Sequence, residues 1–258
     1  MVKRSLTRKL LRDMNKSRMQ FLAVLLLCAL GTWVFSGLDA SWRMLEASIN
    51  QYFDRQNIAD FWVSVPSADR SVVVRISAME GVSDVQARAS ADVKADLPHE
   101  PTLAIHGYDG AMRVNVPLLR QGEALASSDL RGCLLEEQFA QANGLAPGDR
   151  ITLKLGALRY EFVIRGLCLS PEHVITSDDI TSDPLNYGFL LYNSQAIPAL
   201  ALNELCVTLR DGADARAVAG EIESVFPYAL VIDHSSHSST QRTENDVTMF
   251  QNMCYIFP

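Results

Sequence analysis

The chain has 258 residues, of which 48% are hydrophobic and 21% charged, with 14 glycines and 10 prolines. That composition excludes disorder, collagen-like repeats and low-complexity sequence, and it supplies core material for one large domain or two small ones. The formal charge of −7 hides an asymmetry: residues 1–20 carry seven Lys and Arg against Asp13 alone, while the other 238 hold 16 basic and 29 acidic residues. So acidic a main body offers no basic surface to DNA or RNA, and no nucleic acid partner is expected.

After the basic arm, FLAVLLLCALGTWVFSGL (residues 21–38) runs eighteen residues without a charge. As a helix it rises about 27 Å, close to the hydrocarbon thickness of a bilayer. The expected membrane-spanning side chains are Phe21, Leu22, Val24, Leu25, Leu26, Leu27, Leu30, Trp33, Val34, Phe35 and Leu38. Seven cationic residues before the run set the N-terminus in the cytoplasm and the main domain outside the cell (plasma) membrane. A cleaved signal peptide is the competing reading. It needs a shorter apolar centre and a small residue where Leu38-Asp39-Ala40 offers Leu. A buried core helix would need no basic arm.

Helical spacing continues in residues 39–57, where Trp42, Leu45, Ile49, Tyr52 and Phe53 share a face, so the span is expected to extend outward as a stalk. The alternative is a separate amphipathic helix on the membrane surface. IADFWVSV (58–65) reads as a strand. Val72, Ile76 and Met79 then mark a helix stopped by Gly81, and strict alternation from Val85 to Leu97 marks a second strand. Its polar face, with Gln86, Arg88, Asp92, Lys94 and Asp96, is expected to meet solvent. The pattern returns at 204–233: strand, Asp211-Gly212 turn, a stripe of Val218, Ile222 and Val225, and strand. Two such units sharing one sheet, with both helices on one face, make a ferredoxin-like arrangement.

The intervening sequence contains a short strand, a short helix and a turn at Gly144 and Pro147-Gly148. A hairpin follows, turning at Gly156-Ala157, and then the strand NYGFLLY. Short strands and tight turns suggest a β-rich, barrel-like lobe. The expected fold class is α+β. Its parts are a basic arm (1–20), a span (21–38), a stalk (39–57), a discontinuous α/β domain (58–110 and 200–233) and an inserted β-rich subdomain (111–199). Residues 234–258 form a polar linker whose apolar rise at VTMFQNMCYIFP reads as the start of a second membrane helix.

Chemistry is sparse. There is no phosphate-binding G-x-x-x-x-G-K-[ST], no G-x-S-x-G, no H-E-x-x-H and no G-x-G-x-x-G. Asp233-His234-Ser235-Ser236-His237 gathers acid, imidazole and hydroxyl, and its histidines could share a metal, but neighbours in a polar linker point apart rather than converge. Cys168 with His173 suggests a thiol nucleophile; Pro171 and Glu172 more simply mark a loop. His99 and His106 stand alone, and Glu136-Glu137 suits a helix start. Cys28 lies in the span and Cys254 near the end, which leaves Cys133, Cys168 and Cys206 as an odd set without paired spacing, so no disulfide framework follows. No catalytic, cofactor-binding or metal-binding residue is assigned, and no cofactor and no enzyme activity is expected.

Several stretches, taken with this layout, carry a family resemblance: LTRKLLRDMNKSRMQFLAVLLLCALG, NIADFWVSV, EEQFAQANGLAPGDRITLKLGALRYEFVIRGLCLSPEHV, NYGFLLYN and DHSSHSSTQRTENDVTMFQNMCYIFP. The chain resembles the N-terminal portion of an FtsX-like ABC transporter permease with a MacB-like periplasmic core domain, cut before its second span. The resemblance implies porter-like and small barrel-rich outer subdomains, a separate ATP-binding cassette subunit, dimerisation with a second permease, and mechanical transmission. It also implies export or extraction of a lipid, lipoprotein, peptide or drug. Members of that family continue through further spans, so the expectation is a fragment of a longer permease or a natural single-span protein. In the latter case the alternative is an anchored extracytoplasmic binding module without transport activity.

Overall fold

The structure, a computed structural model, describes Arg12, residues 17–173, residues 183–234 and Thr248. The fold is mixed α+β, an N-terminal apolar helix followed by a mixed sheet. Compact packing divides the chain into a unit of Met1–Ile49 with Asn245–Pro258 and a unit of Asn50–Glu244.

In the first unit, helix α1 (Arg18–Gln56, ending in the second unit) passes residues 38 and 39 without a break. No proline interrupts it. Its hydroxyls fold back onto the helix, as Thr32 Oγ1 donates to the Cys28 carbonyl (2.9 Å) and Ser41 Oγ to that of Gly37 (2.8 Å). Where charge first returns, Asp39 accepts from Trp42 Nε1 (3.0 Å) and Arg43 Nε (3.1 Å). These are pairs at the i+3 and i+4 spacing that faces one helical surface.

In the second unit α1 stops at Asn57, whose φ of 49° is left-handed. That conformation commonly ends helices. The last helical carbonyls are capped by a loop: Val116 N donates to Gln56 O (2.8 Å) and Asn115 N to Asn57 O (2.9 Å). Asn57 Nδ2 in turn donates to Arg113 O (2.7 Å).

Strand β1 (Phe61–Ser64), helix α2 (Arg70–Ser77) and strand β2 (Val82–Ala95) form the first strand-helix-strand unit. Asp69 starts α2 by accepting from the backbone N–H of Ser71 and Val72, which satisfies two donors that the first turn would otherwise leave unpaired. Strand β9 (Glu204–Leu209), helix α4 (Ala215–Val225) and strand β10 (Leu230–Asp233) form the second, with Asp214 capping α4 in the same way. The four strands lie in the order β10-β1-β9-β2, with β9 antiparallel to both neighbours, so β1 and β2 run parallel with a strand inserted between them. This is the ferredoxin-like order. One face of that sheet, with Phe61, Val63, Val85, Ala87, Leu205 and Val207, is covered by Ile76 of α2 and by Val218 and Ile222 of α4. Ile222 is fully buried. Ile222→Ala should cost about 2–5 kcal/mol through lost burial and the cavity left behind, read as a lowered denaturant midpoint of the full chain in detergent with an unchanged slope.

The opposite face is not the solvent face expected from the alternation in β2. Gln86 and Arg88 are each 1% exposed. The reason is a cover supplied from elsewhere in sequence. Gln86 Nε2 donates to Ala111 O (2.6 Å), and its Oε1 accepts from the N–H of Arg113 (2.7 Å) and Val114 (3.0 Å), which clamps that loop over the sheet. Beneath it Ala59, Trp62, Val114 and Cys206 form a small apolar cluster.

Past Arg88 the same strand leaves β9 and enters a second sheet. Its other strands are β3 (Thr102–Tyr108), β5 (Gly132–Glu136), β6 (Arg150–Leu155), β7 (Leu158–Leu169) and β8 (Tyr187–Asn193), with the short helix α3 (Glu137–Ala142) after β5. Pairing runs β2-β3-β8-β5-β7-β6 and closes where β6 meets β2 at Lys94↔Lys154 and Ala95↔Leu153. This is a six-stranded barrel. Like charges directly opposite one another destabilise a strand pair, so the two lysines at the closure need local offsets. Lys154 Nζ lies 2.9 Å from Asp96 and 2.8 Å from Glu100, and Lys94 Nζ donates to Thr102 Oγ1 (2.8 Å). Leu103, Ile105, Cys133, Leu135, Ile151, Leu153, Phe162, Ile164, Leu190 and Tyr192 fill the interior. Strand β4 (Leu118–Gly122) pairs antiparallel with the last residues of β7, Gly166–Leu169, beyond the stretch that β6 occupies.

Strand β3 falls within the 58–110 segment of the sequence reading, yet it pairs with the barrel strands β2 and β8 and not with β1, β9 or β10. The barrel therefore takes in residues ahead of 111.

Candidate functional site

Where the two sheets share β2, register places three polar side chains in line. Arg88 sits opposite Glu204 of β9 on one side and Tyr108 of β3 on the other. Its Nε donates to Glu204, and its Nη1 to the Tyr108 hydroxyl (3.2 Å). Its two Nη atoms grip both oxygens of Glu172 at 2.6 Å each. In this bidentate pair both side chains are 2% exposed. Burial alone pulls the Arg88 guanidinium down. Cys206, Glu172 and Glu204 around it outweigh that and hold it well above its ordinary value, so it is a permanent cation.

Glu172 comes from the turn after β7, and local chemistry sets that turn. Ser170 Oγ accepts from Glu172 N (3.3 Å), and Ser170 O accepts from His173 N (3.2 Å). Consecutive residues therefore present their side chains over the outer face of the barrel. Alternation along β3 puts Leu103 and Ile105 inside and Ala104, His106 and Tyr108 outside, beside Leu134, Cys168, Phe189 and Leu191. His173 then stacks on Phe189 with ring centroids 4.9 Å apart at 15°, and its Nε2 lies 2.9 Å from Nε2 of His106. Buried His106, buried Glu172 and half-buried His173 each bring one ligand-type atom within 4.8 Å of the others.

Of the candidates singled out in the sequence, His173 and His106, 67 positions apart, are brought together. Cys168 is fully buried, and burial raises its thiol pKa, with Glu136 nearby adding to the effect; a thiolate nucleophile needs the reverse. Cys133, Cys168 and Cys206 are free thiols in the interior, and Cys254 lies outside the described residues. His99 occupies an exposed turn with φ of 72° between β2 and β3. Glu136 is buried at the end of β5, and Glu137 opens α3 facing Arg120. Asp233 is paired in β10 against Phe61 of β1. His234 packs edge-on against Phe53 (5.5 Å, 87°) and parallel to Trp62 (6.3 Å, 17°), where its ring serves the core. Ser235, Ser236 and His237, like all of the expected second membrane helix except Thr248, lie outside the described residues.

The apolar side chains of α1 form the other candidate surface. Phe21, Leu22, Val24, Leu25, Leu26, Leu27, Leu30, Trp33, Val34 and Phe35 are exposed, and Leu38 is half-buried. Among the described residues this is the one helix long and apolar enough to cross a membrane, and none of its most apolar eighteen-residue stretch is buried within the protein. So long a run of exposed apolar side chains demands a covering medium or partner.

No protein-family model matches the chain, and no curated protein sequence matches it. Solved structures to which it is similar include extracytoplasmic regions of two transporters. The periplasmic region of MacB from Actinobacillus actinomycetemcomitans is 12% identical with a TM-score of 0.45, covering 77% of this chain and 98% of its own. The extracellular domain of the noncanonic ABC-type transporter YknZ from Gram-positive bacteria is 10% identical with a TM-score of 0.45, covering 68% of this chain and 100% of its own.

Proposed function

We propose that the chain is the membrane-anchored, extracytoplasmic portion of an ABC transporter permease. In this reading α1 crosses the membrane with residues 21–38, its N-terminus is cytoplasmic, and its continuation carries the movement of a separate ATP-binding cassette subunit outward. The observation that carries the reading is α1 itself. It is one uninterrupted helix of 39 residues, with an exposed apolar stretch and with Phe53 buried in the folded unit that follows. At about 1.5 Å per residue it is roughly 58 Å long. A helix of that length transmits displacement without the slack of a flexible linker. Dimerisation with a second permease, and export or extraction of a lipid, lipoprotein, peptide or drug, belong to the same proposal. A role in transmission rather than catalysis agrees with the burial of the thiols, whose pKa values are raised where a nucleophile would need them lowered.

Reporter fusions and affinity capture test it together. Alkaline phosphatase fused after Gln56 should be active in a bacterial host, whereas a fusion before Phe21 should be inactive, because the enzyme matures only outside the cytoplasm. Capture of the chain from detergent-solubilised native membranes should recover an ATP-binding cassette subunit. An inactive fusion after Gln56 would overturn the orientation, and reproducible capture without any such subunit would overturn the transporter assignment.

A further inference from the structure

We infer that His106, Glu172 and His173 form a binding site for a single divalent transition metal of the zinc class, a property separate from the transporter reading. The donor set points to the ion. Two imidazoles and a carboxylate are ligands of Zn²⁺ and its first-row neighbours, whereas Ca²⁺ and Mg²⁺ take all-oxygen shells. Three protein ligands with a fourth position left to water is a recurrent zinc arrangement.

The geometry of the imidazole pair is close to what such an ion needs, and Glu172 offers an oxygen within 4.8 Å of both nitrogens. Nitrogens bound to one Zn²⁺ at about 2.0–2.1 Å stand roughly 2.9 Å apart at a right angle and roughly 3.3 Å apart at the tetrahedral angle. The His106 and His173 Nε2 atoms stand 2.9 Å apart. The rings therefore need to open by only a few tenths of an ångström to take the metal. Phe189, stacked on His173, fixes the plane of that ring, and the Ser170 turn fixes the direction of Glu172.

Charge favours a cation here. Arg88 supplies one positive charge against the carboxylates of Glu172 and Glu204, which leaves those three groups with an excess negative charge beside two imidazoles. Glu172 accepts one bond from Arg88 at each oxygen. A carboxylate has about four lone-pair sites, so a bidentate grip by a guanidinium is compatible with ligation of a metal. Arg88 then acts as the outer partner that orients a ligating carboxylate. His173, the half-buried member, gives the ion its route from solvent. Metal binding would tie the 170–173 turn to β3 of the barrel, beside the Arg88 cluster that joins the two sheets.

The test uses the full chain in detergent, carrying no polyhistidine tag, titrated with Zn²⁺ against a competing chromophoric chelator. One equivalent should bind. His106→Gln and His173→Gln should each weaken binding by roughly 100-fold or more, since even outer-shell changes cost about 10–100-fold, while His99→Ala should leave it unchanged. Failure to take up one equivalent would overturn the site and leave the two imidazoles as a hydrogen-bonded pair sharing a proton, and so would unchanged binding in both glutamine variants. X-ray absorption of the zinc-loaded wild-type chain decides the matter even if the variants misfold: two imidazoles with oxygen support the site, and a sulfur shell, as the cysteines would give, overturns it.

Discussion

Arg88→Ala should lower the stability of the folded unit by about 3–5 kcal/mol, the usual cost of removing one partner from a buried ion pair. For a unit of this size that corresponds to a drop of roughly 6–20 °C in the midpoint of thermal unfolding, at about 2–4 °C per kcal/mol. The loss arises less from the attraction removed than from what remains. Glu172, 2% exposed, would keep its charge in the interior without the guanidinium that grips both its oxygens. Glu204, more exposed at 15%, recovers part of its hydration and contributes less. A combined Arg88→Met, Glu172→Leu variant serves as the control, because replacing a buried pair by apolar groups of similar volume is often neutral. Near-ultraviolet circular dichroism during heating of the full chain in detergent measures both. A loss below about 1 kcal/mol for Arg88→Ala would mean that the cluster is hydrated and does not join the sheets as described.

Leu27→Arg together with Leu30→Arg should release the chain from membranes. Each arginine near the centre of a span costs about 2.5–3.5 kcal/mol on insertion scales, so the pair removes about 5–7 kcal/mol of insertion free energy. Both leucines are exposed on α1, at 70% and 57%, so neither substitution disturbs a packed core. The expected result is wild-type chain in the carbonate-resistant membrane fraction and the double variant in the supernatant or degraded. Equal retention of both would show that the apolar run is covered by protein rather than by lipid.

Much of the fold is legible in local pattern because local pattern is what fixes it. The alternation of β2, the Val218 and Ile222 stripe of α4, the Asp211-Gly212 turn and the hairpin at Gly156 all follow from side-chain period and turn chemistry. So does the ferredoxin-like pairing, since two strand-helix-strand units with one apolar face each have few ways to bury it. What could not be read is what lies across space. Gln86 and Arg88 look like solvent-facing residues of an alternating strand, and they are buried by partners 25 to 116 positions away: Ala111, Glu172 and Glu204. Closure of the barrel rests on a few residues of β6 meeting the far end of β2, for which the sequence carries no marker. His106 gave one local hint, a lone imidazole in TLAIHGY, but its partner arrives 67 positions later.

The order of strands along the chain sets an order of completion during synthesis. Every strand of the barrel has been made once Asn193 has been added, whereas β1, among the first to appear, waits for β9 at 204–209 and for β10, which ends at Asp233. At about 5–20 residues per second, the step from Asn193 to Asp233 takes roughly 2–8 s. Through that interval the barrel is free to close while Phe61, Val63 and the first half of β2 stay uncovered on the nascent chain. The half of the protein that follows α1 in sequence is thus the last to be finished, because its first strand must wait for its last two.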